Sequence, residues 1–173
     1  RDWSSDVCSS DLAIAVSFIA APRLARGPDR LLQWRSFHVW NLHPMYAINA
    51  GHRVFYTTAG SQGPWVVMSH SLCCDHTMWE PQMELLARHY RVLAYDTRGH
   101  GASDPWTTPY TLDDLAAEAI AVLDAAGIDR AHFVGLSMGG MIGQTLGFTY
   151  PDRIASLTLA NTSSRFAPEM QPV

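Results

Sequence analysis

A glycine-rich junction between a strand pattern and a helix pattern restricts the possible folds more than any other part of this sequence. The run Ala-His-Phe-Val-Gly-Leu at 131–136 has the apolar content of a buried β-strand. It is followed at once by Ser137 and by a segment with helical character that ends before Pro151. Gly135 and Gly139 flank Ser137, and the missing side chains permit a very tight turn. The sequence therefore predicts a strand that passes into a helix through a sharp turn at Ser137.

Short apolar runs alternate with helical patterns along the chain from Met45 onward. Strands are predicted at 52–57, 66–68, 91–95, 132–136 and 154–160, and helices at 78–89, at 111–126 and after Ser137. Strands that alternate with helices pair in parallel through right-handed crossovers, and their helices cover both faces of the sheet. The predicted fold class is therefore α/β, with a mostly parallel sheet.

The segment 111–126 carries the clearest helix pattern. Its apolar residues recur at the spacing of one helix face: Leu112, Leu115, Ala116, Ala119, Ile120 and Leu123. Thr111 is a suitable N-cap, and Asp114 stands where its side chain can reach back to the cap. Gly127 can adopt the left-handed conformation that ends a helix. Both ends of this helix are therefore predicted.

The composition argues against several kinds of partner. All 12 basic residues are Arg, and 16 acidic residues bring the formal net charge to −4, so we expect no nucleic-acid partner. The longest apolar run, at 12–21, has ten residues. A membrane-spanning helix needs about 20 residues, so no membrane partner is expected either. Three cysteines do not form a disulfide framework, and we expect a cytoplasmic protein. The sequence carries no metal-binding, nucleotide-binding or other cofactor motif, so no cofactor is expected.

The first 44 residues differ in character from the rest. Residues 2–12 resemble translated sequencing-adapter DNA, and 13–44 show no clear period. A signal peptide is the alternative, although its arginines would stand on the wrong side of the apolar stretch. Residues 1–44 carry a net charge of +1 and 45–173 a net charge of −5. We expect 1–44 to be a non-native or disordered leader and Met45 to open the native domain.

Ser137 is the candidate nucleophile. In a G-x-S-x-G turn between a strand and a helix, the strained backbone exposes the serine hydroxyl. The helix that follows directs its free N–H groups and the positive end of its dipole at the place where an oxyanion would form. The alternative is an ordinary polar turn between a strand and a helix. The strand before and the helix after the pentapeptide favour the nucleophile.

Three stretches of sequence resemble the α/β-hydrolase superfamily. They are VVMSHSLCCDHTMWEPQ at 66–82, YRVLAYDTRGHGASD at 90–104 and AHFVGLSMGGMIGQ at 131–144. The branch they most resemble is the 3-oxoadipate enol-lactonase type. The resemblance implies that Ser137 is the nucleophile and that the backbone N–H groups of Leu72 and Met138 form the oxyanion hole. Cys73 stands where this branch more often has Gly.

The resemblance also suggests roles for nearby polar and aromatic residues. It implies that His100 and Asp104 are hydrogen-bonded turn residues rather than catalysts. His70 is expected to stiffen the oxyanion loop, and Trp79 to belong to the core or to a pocket wall. Reactive thiols are an open alternative for Cys73 and Cys74, against small side chains that simply pack near the site.

A general base for Ser137 is missing from the sequence. In this superfamily the acid and then the His follow the nucleophile along the chain, but no His follows Ser137 here. The downstream acids are Asp152 and Glu169. We therefore expect 45–173 to be the N-terminal part of an α/β-hydrolase domain that lacks the cap and the C-terminal strands. The chain alone is expected to be inactive.

The function expected of the intact protein is that of a serine hydrolase. It would cleave a small carboxylic ester or lactone through an acyl-enzyme, as a 3-oxoadipate enol-lactonase does. Two alternatives stay open. One is a cofactor-free enzyme of the perhydrolase or haloperoxidase type, and the other is a non-catalytic protein that binds a small ligand in the same pocket.

Overall fold

A six-stranded sheet runs through the protein, and its strands are joined by three α-helices. The structure is a computed structural model, and it describes residues 44–164. The strands are β1 Met45–Asn49, β2 His52–Ala59, β3 Trp65–Ser69, β4 Arg91–Tyr95, β5 Ala131–Leu136 and β6 Ile154–Ala160. The helices are α1 Glu80–Leu86, α2 Leu112–Ala125 and α3 Met138–Thr149, with short 3-10 turns at His76–Trp79 and Pro151–Arg153. The proposed leader, 1–44, lies almost entirely outside the described residues.

The strand order is β1-β2-β4-β3-β5-β6. β4, β3, β5 and β6 are parallel, which confirms the α/β class with a mostly parallel sheet. α2 and α3 pack on one face, where Leu115, Phe133 and Ile142 belong to the larger core cluster. α1 packs on the other face, where Met83 and Trp79 join the smaller cluster. Helices therefore cover both faces, as predicted.

The sheet begins with an antiparallel hairpin that the sequence pattern did not predict. β1 pairs antiparallel with β2, and β2 pairs antiparallel with β4. The β1–β2 turn places Ala50 at φ 50° and Gly51 at φ 84°. Two consecutive residues with positive φ form a type I′ turn, whose twist suits a two-residue hairpin. Most such turns carry Asn or Asp at the first of these two positions, whereas this turn carries Ala. The Ala-Gly pair was therefore a weak local signal.

The predicted helix at 78–89 is shorter than expected. Asp75 caps a 3-10 turn over His76–Trp79, and α1 then runs only from Glu80 to Leu86. Pro81 explains the late start, because proline has no N–H to donate and is favoured in the first turn of a helix. The prediction of both ends of α2 is confirmed. Thr111 and Asp114 exchange hydrogen bonds in a capping box, and Gly127 follows at φ 67°.

Residues 44–164 include no helix with the length and hydropathy that a membrane span requires.

Candidate active site

Ser137 stands in a strained backbone conformation at the junction of β5 and α3. Its φ is 52° and its ψ is −108°, a combination that residues with a side chain rarely adopt. Such a conformation costs about 1–3 kcal/mol and persists only when its surroundings impose it. The predicted sharp turn at Ser137 is therefore present.

Hydrogen bonds from the far side of the turn impose this conformation. The Ser137 amide donates to the carbonyl oxygen of Ala160 at 2.9 Å, at the end of β6. The Thr162 hydroxyl donates to the carbonyl oxygen of Ser137 at 2.8 Å. β6 and the residues just after it thus hold both backbone polar groups of the candidate nucleophile.

The two glycines of the pentapeptide are required by backbone contacts. A Cβ on Gly135 would lie 2.1 Å from the carbonyl oxygen of Gly139. A Cβ on Gly139 would lie 2.3 Å from the carbonyl oxygen of Ser69. Since the obstructing atoms belong to the backbone, neither position can take a side chain without movement of the chain.

The loop after β3 is joined directly to the start of α3. The Gly139 amide donates a hydrogen bond to the carbonyl oxygen of His70 at 3.1 Å. Leu72 stands two residues beyond His70, and Met138 stands between Ser137 and Gly139. Among residues 44–164, no group accepts a hydrogen bond from the amide of Leu72 or of Met138. The two amides expected to form an oxyanion hole thus lie on linked segments, and both are unpaired.

His70 is buried, and its hydrogen bonds define its protonation state. Its Nε2 faces the backbone amide of Thr97 at 3.0 Å and therefore accepts. Its Nδ1 lies 2.7 Å from the carbonyl oxygen of Ser71 and therefore donates. Burial lowers the pKa of His70, which further favours this neutral form. Because both ring nitrogens are occupied inside the loop, His70 has no free nitrogen with which to act as a base.

His100 is bonded to the same loop. Its Nε2 accepts from the Cys73 amide at 3.3 Å, and its Nδ1 lies 3.0 Å from the carbonyl oxygen of Arg98. Asp104 accepts hydrogen bonds from the backbone amide and the guanidinium of Arg53. These contacts fit the expectation that His100 and Asp104 are turn residues.

A carboxylate–imidazole pair lies beside this loop, and sequence analysis did not single it out. The Asp96 carboxylate is fully buried, and the Nδ1 of His76 donates to it at 2.9 Å. This hydrogen bond raises the pKa of His76. With Asp75 the two residues form a cluster of possible metal ligands. Asp96 also accepts from the backbone amides of His76 and Ala102, however, so both of its oxygens already serve to hold the loop.

No base contacts Ser137 in the part of the chain that the structure describes. The Ser137 hydroxyl has no hydrogen-bonded His or carboxylate within 44–164. Asp152 is exposed in the turn Pro151–Arg153, which follows the opposite end of α3. Glu169 lies outside the described residues. The described residues therefore present a candidate nucleophile and two candidate oxyanion donors, and among them no group that would activate the serine contacts it.

Known proteins similar to this chain include named lactonases and hydrolases. The chain is 44% identical over 106 residues to 3-oxoadipate enol-lactonase 1 of Acinetobacter baylyi, which covers 61% of this chain and 40% of that protein. It is 38% identical over 108 residues to a putative carbamate hydrolase of Caulobacter segnis, with 61% and 40% covered. The crystal structure of the enol-lactonase from Burkholderia xenovorans superposes with a TM-score of 0.69 at 42% identity, covering 73% of this chain and 50% of that one.

The chain thus spans about 40% of the length of the curated relatives it matches. The family model described as the alpha/beta hydrolase fold matches residues 64–172, which include Leu72, Ser137 and Met138. On the fold and this match, the chain belongs to the α/β-hydrolase fold family, and its relatives include proteins named as enol-lactonases.

Proposed function

We propose that the intact protein is a serine hydrolase that cleaves small carboxylic esters or lactones. The observation that carries this proposal is the backbone of Ser137 at φ 52°, between a strand end and a helix start, beside unpaired amides. A serine held in this way presents its hydroxyl to a ligand above the sheet edge rather than to the core.

The reaction proceeds through an acyl-enzyme. The Ser137 Oγ attacks the carbonyl carbon, and a base takes its proton. The carbonyl oxygen becomes an oxyanion, which accepts hydrogen bonds from the Leu72 and Met138 amides. The C–O bond to the leaving group then breaks, and the base returns its proton to that oxygen. Water attacks the acyl-enzyme in the same manner, which releases the acid and restores the Ser137 hydroxyl.

The substrate class proposed is an enol-lactone of the kind named in the relatives. Two relatives from Acinetobacter baylyi are named 3-oxoadipate enol-lactonases, at 44% and 40% identity. In a lactone the leaving oxygen remains tethered to the acyl group, so a single substrate chain occupies the site throughout the reaction. Another relative is named as a carbamate hydrolase, and a carbamate carbonyl is a group that the same serine and amides could also engage.

The general base is proposed to lie outside these 173 residues. The 173-residue chain by itself is therefore expected to turn over substrate slowly or not at all, because loss of the base from such a triad costs several orders of magnitude. The unpaired amides can still polarise a bound carbonyl.

The first experiment is to read the gene beyond the codon for Val173 and to express both the 173-residue chain and the complete reading frame. We expect the complete protein to carry a later acid and His and to hydrolyse an enol-lactone or p-nitrophenyl acetate. Ser137→Ala should abolish that activity, while the 173-residue chain shows little of it. Rapid hydrolysis by the 173-residue chain would contradict the proposed position of the base. Ligand binding without turnover by the complete protein would favour a non-catalytic role instead.

A further inference from the structure

The loop that carries Leu72 is a turn in an unusual form. The Cys74 amide donates to the carbonyl oxygen of Ser71 at 3.1 Å, which closes a four-residue β-turn. Cys73, the third residue of this turn, has φ 60°, whereas Leu72 is not among the residues with positive φ. A turn with positive φ only at its third residue is a type II turn, and that position favours glycine. Cys73 is therefore strained there, because its Cβ crowds the backbone.

One hydrogen bond acts directly on the strained residue. The Cys73 amide donates to Nε2 of His100 at 3.3 Å. In a type I turn the peptide unit between Leu72 and Cys73 would be flipped, and this amide would point away from His100. The imidazole therefore favours the type II form over the less strained type I form.

His100 is itself held by a chain of hydrogen bonds that returns to the same loop. Its Nδ1 lies 3.1 Å from the Thr97 hydroxyl and 3.0 Å from the carbonyl oxygen of Arg98, so Nδ1 carries the proton and Nε2 is left to accept. The Thr97 hydroxyl lies 3.2 Å from Nε2 of His70, and Nδ1 of His70 donates to the carbonyl oxygen of Ser71. The network thus connects both ends of the 70–73 segment to the turn after β4.

That turn is a rigid support. The Arg98 guanidinium forms a buried ion pair with Glu118 of α2, with 2.7 Å between Nε and Oε2. The Arg98 amide also donates to Glu118, at 2.9 Å. Because these contacts hold the turn after β4, the imidazole of His100 can oppose a conformational change in the Ser71–Cys74 turn. An imidazole on a mobile loop would move with that turn instead.

We propose that His100 is a positioning residue of the active site, which fixes Cys73 and thereby holds in place the loop segment that carries the neighbouring Leu72 amide. This inference rests on the proposed function, in which Leu72 is an oxyanion donor. His100 contacts neither the substrate nor Ser137 in this scheme. Its effect on catalysis passes through the position of the Ser71–Cys74 turn. The Leu72 amide belongs to the Ser71–Leu72 peptide unit of this turn, and it is displaced when the turn is no longer held at Cys73.

The test compares His100→Leu with His100→Gln, which keeps an acceptor near the position of Nε2. In the complete hydrolase we expect His100→Leu to lower kcat about tenfold with KM changed less than about twofold, because a displaced donor is felt mainly in the transition state. His100→Gln should recover most of kcat. His132→Leu is the control, because it also removes an imidazole with a hydrogen-bonded ring nitrogen, here bonded to Ser156, but His132 lies at the end of β5 that is remote from Ser137.

The turn form is tested by a second substitution. Cys73→Gly removes the strain at φ 60°, so the loop should keep its form without help from His100. In the Cys73→Gly background, His100→Leu should therefore lower kcat less than about twofold. A full tenfold loss in that background would overturn the proposal.

A readout that does not need activity separates this inference from the proposed function. Amide hydrogen exchange in the 173-residue chain should become at least about tenfold faster at Cys73 in His100→Leu, while the amides of β4 keep their wild-type rates. Unchanged exchange at Cys73 would overturn the role of His100 whether or not the protein is a hydrolase. If exchange responds as expected but the complete protein hydrolyses nothing, the proposed function fails and the loop contact stands.

Discussion

Two residues of the candidate site adopt backbone conformations that their side chains oppose. Ser137 and Cys73 have positive φ, at 52° and 60°, although neither is glycine. Each donates its backbone amide to an acceptor on a different segment of the chain, Ser137 to the carbonyl oxygen of Ala160 and Cys73 to Nε2 of His100. Strain that is maintained by distant contacts is typical of functional sites.

Replacing Ser137 by glycine should leave a more stable fold than replacing it by alanine. Ser137→Gly and Ser137→Ala lose the same hydroxyl, but only Gly adopts φ 52° without crowding its Cβ. We expect the free energy of unfolding of Ser137→Gly to exceed that of Ser137→Ala by about 1 kcal/mol. Urea denaturation of the two variants measures this difference. Equal stabilities would mean that Ser137 is not strained.

The His76–Asp96 pair should make stability depend on pH. The carboxylate raises the pKa of His76 above its usual value of about 6.5. The stabilisation that the His76–Asp96 pair gives the folded state is therefore fully present below pH ~6.5. It is lost as the pH rises through the higher pKa that His76 has in the folded state. His76→Gln should lower the free energy of unfolding more at about pH 5.5 than at about pH 8.5.

The control for this comparison is His89→Gln, because His89 is exposed and no carboxylate within residues 44–164 forms a hydrogen bond or ion pair with it. Buried His70 acts in the opposite sense, since its pKa is lowered and its neutral form is favoured. For that reason the difference between variant and wild type is measured, rather than the pH profile of the wild type alone. A His76→Gln effect that is the same at both pH values would contradict the prediction.

At the scale of elements, each helix was predictable to the extent that its ends are set locally. α2 has an apolar face, a capping box and a terminal glycine, all within the segment 111–127, and its ends agree with the prediction. α1 has no such signals of its own after Pro81, and its predicted extent was wrong. β1 was missed because its single buried residue, Ala47, makes a weak alternation pattern.

The N-cap of α2 gives a test at this scale. Thr111→Ala removes the hydroxyl that accepts from the Asp114 amide and should lower the free energy of unfolding by about 1 kcal/mol. Thr108→Ala changes an exposed threonine outside the helix and should change it by less than about 0.5 kcal/mol. Thermal or urea unfolding of both variants decides the matter, and equal effects would argue against the cap.

At the scale of the whole molecule, the sheet is unevenly protected. β6 has a neighbour on only one side within residues 44–164, and four consecutive residues from Ala155 to Thr158 are exposed. Phe148 of α3 is 89% exposed and Leu157 is 36% exposed. An uncovered strand edge with apolar side chains favours association with other chains.

We therefore expect the 173-residue chain to self-associate through β6. Leu157→Lys adds a charge to this edge and should lower light scattering at a given concentration several-fold. Leu85→Lys, which alters another exposed leucine on α1, serves as the control and should have less effect. Equal reductions by both variants would point to net charge rather than to the β6 edge.

The sequence alone determined the α/β class, the caps of α2 and the turn at Ser137, because each depends on residues that are neighbours along the chain. It also indicated the family, through three short stretches that carry little information about their mutual contacts. The tertiary structure decided the antiparallel start of the sheet, the burial of Asp96 beside His76, and the network that joins His100 to Cys73. The partners in these two side-chain contacts stand 20 and 27 residues apart, and only the packing of the strands brings them within hydrogen-bonding distance.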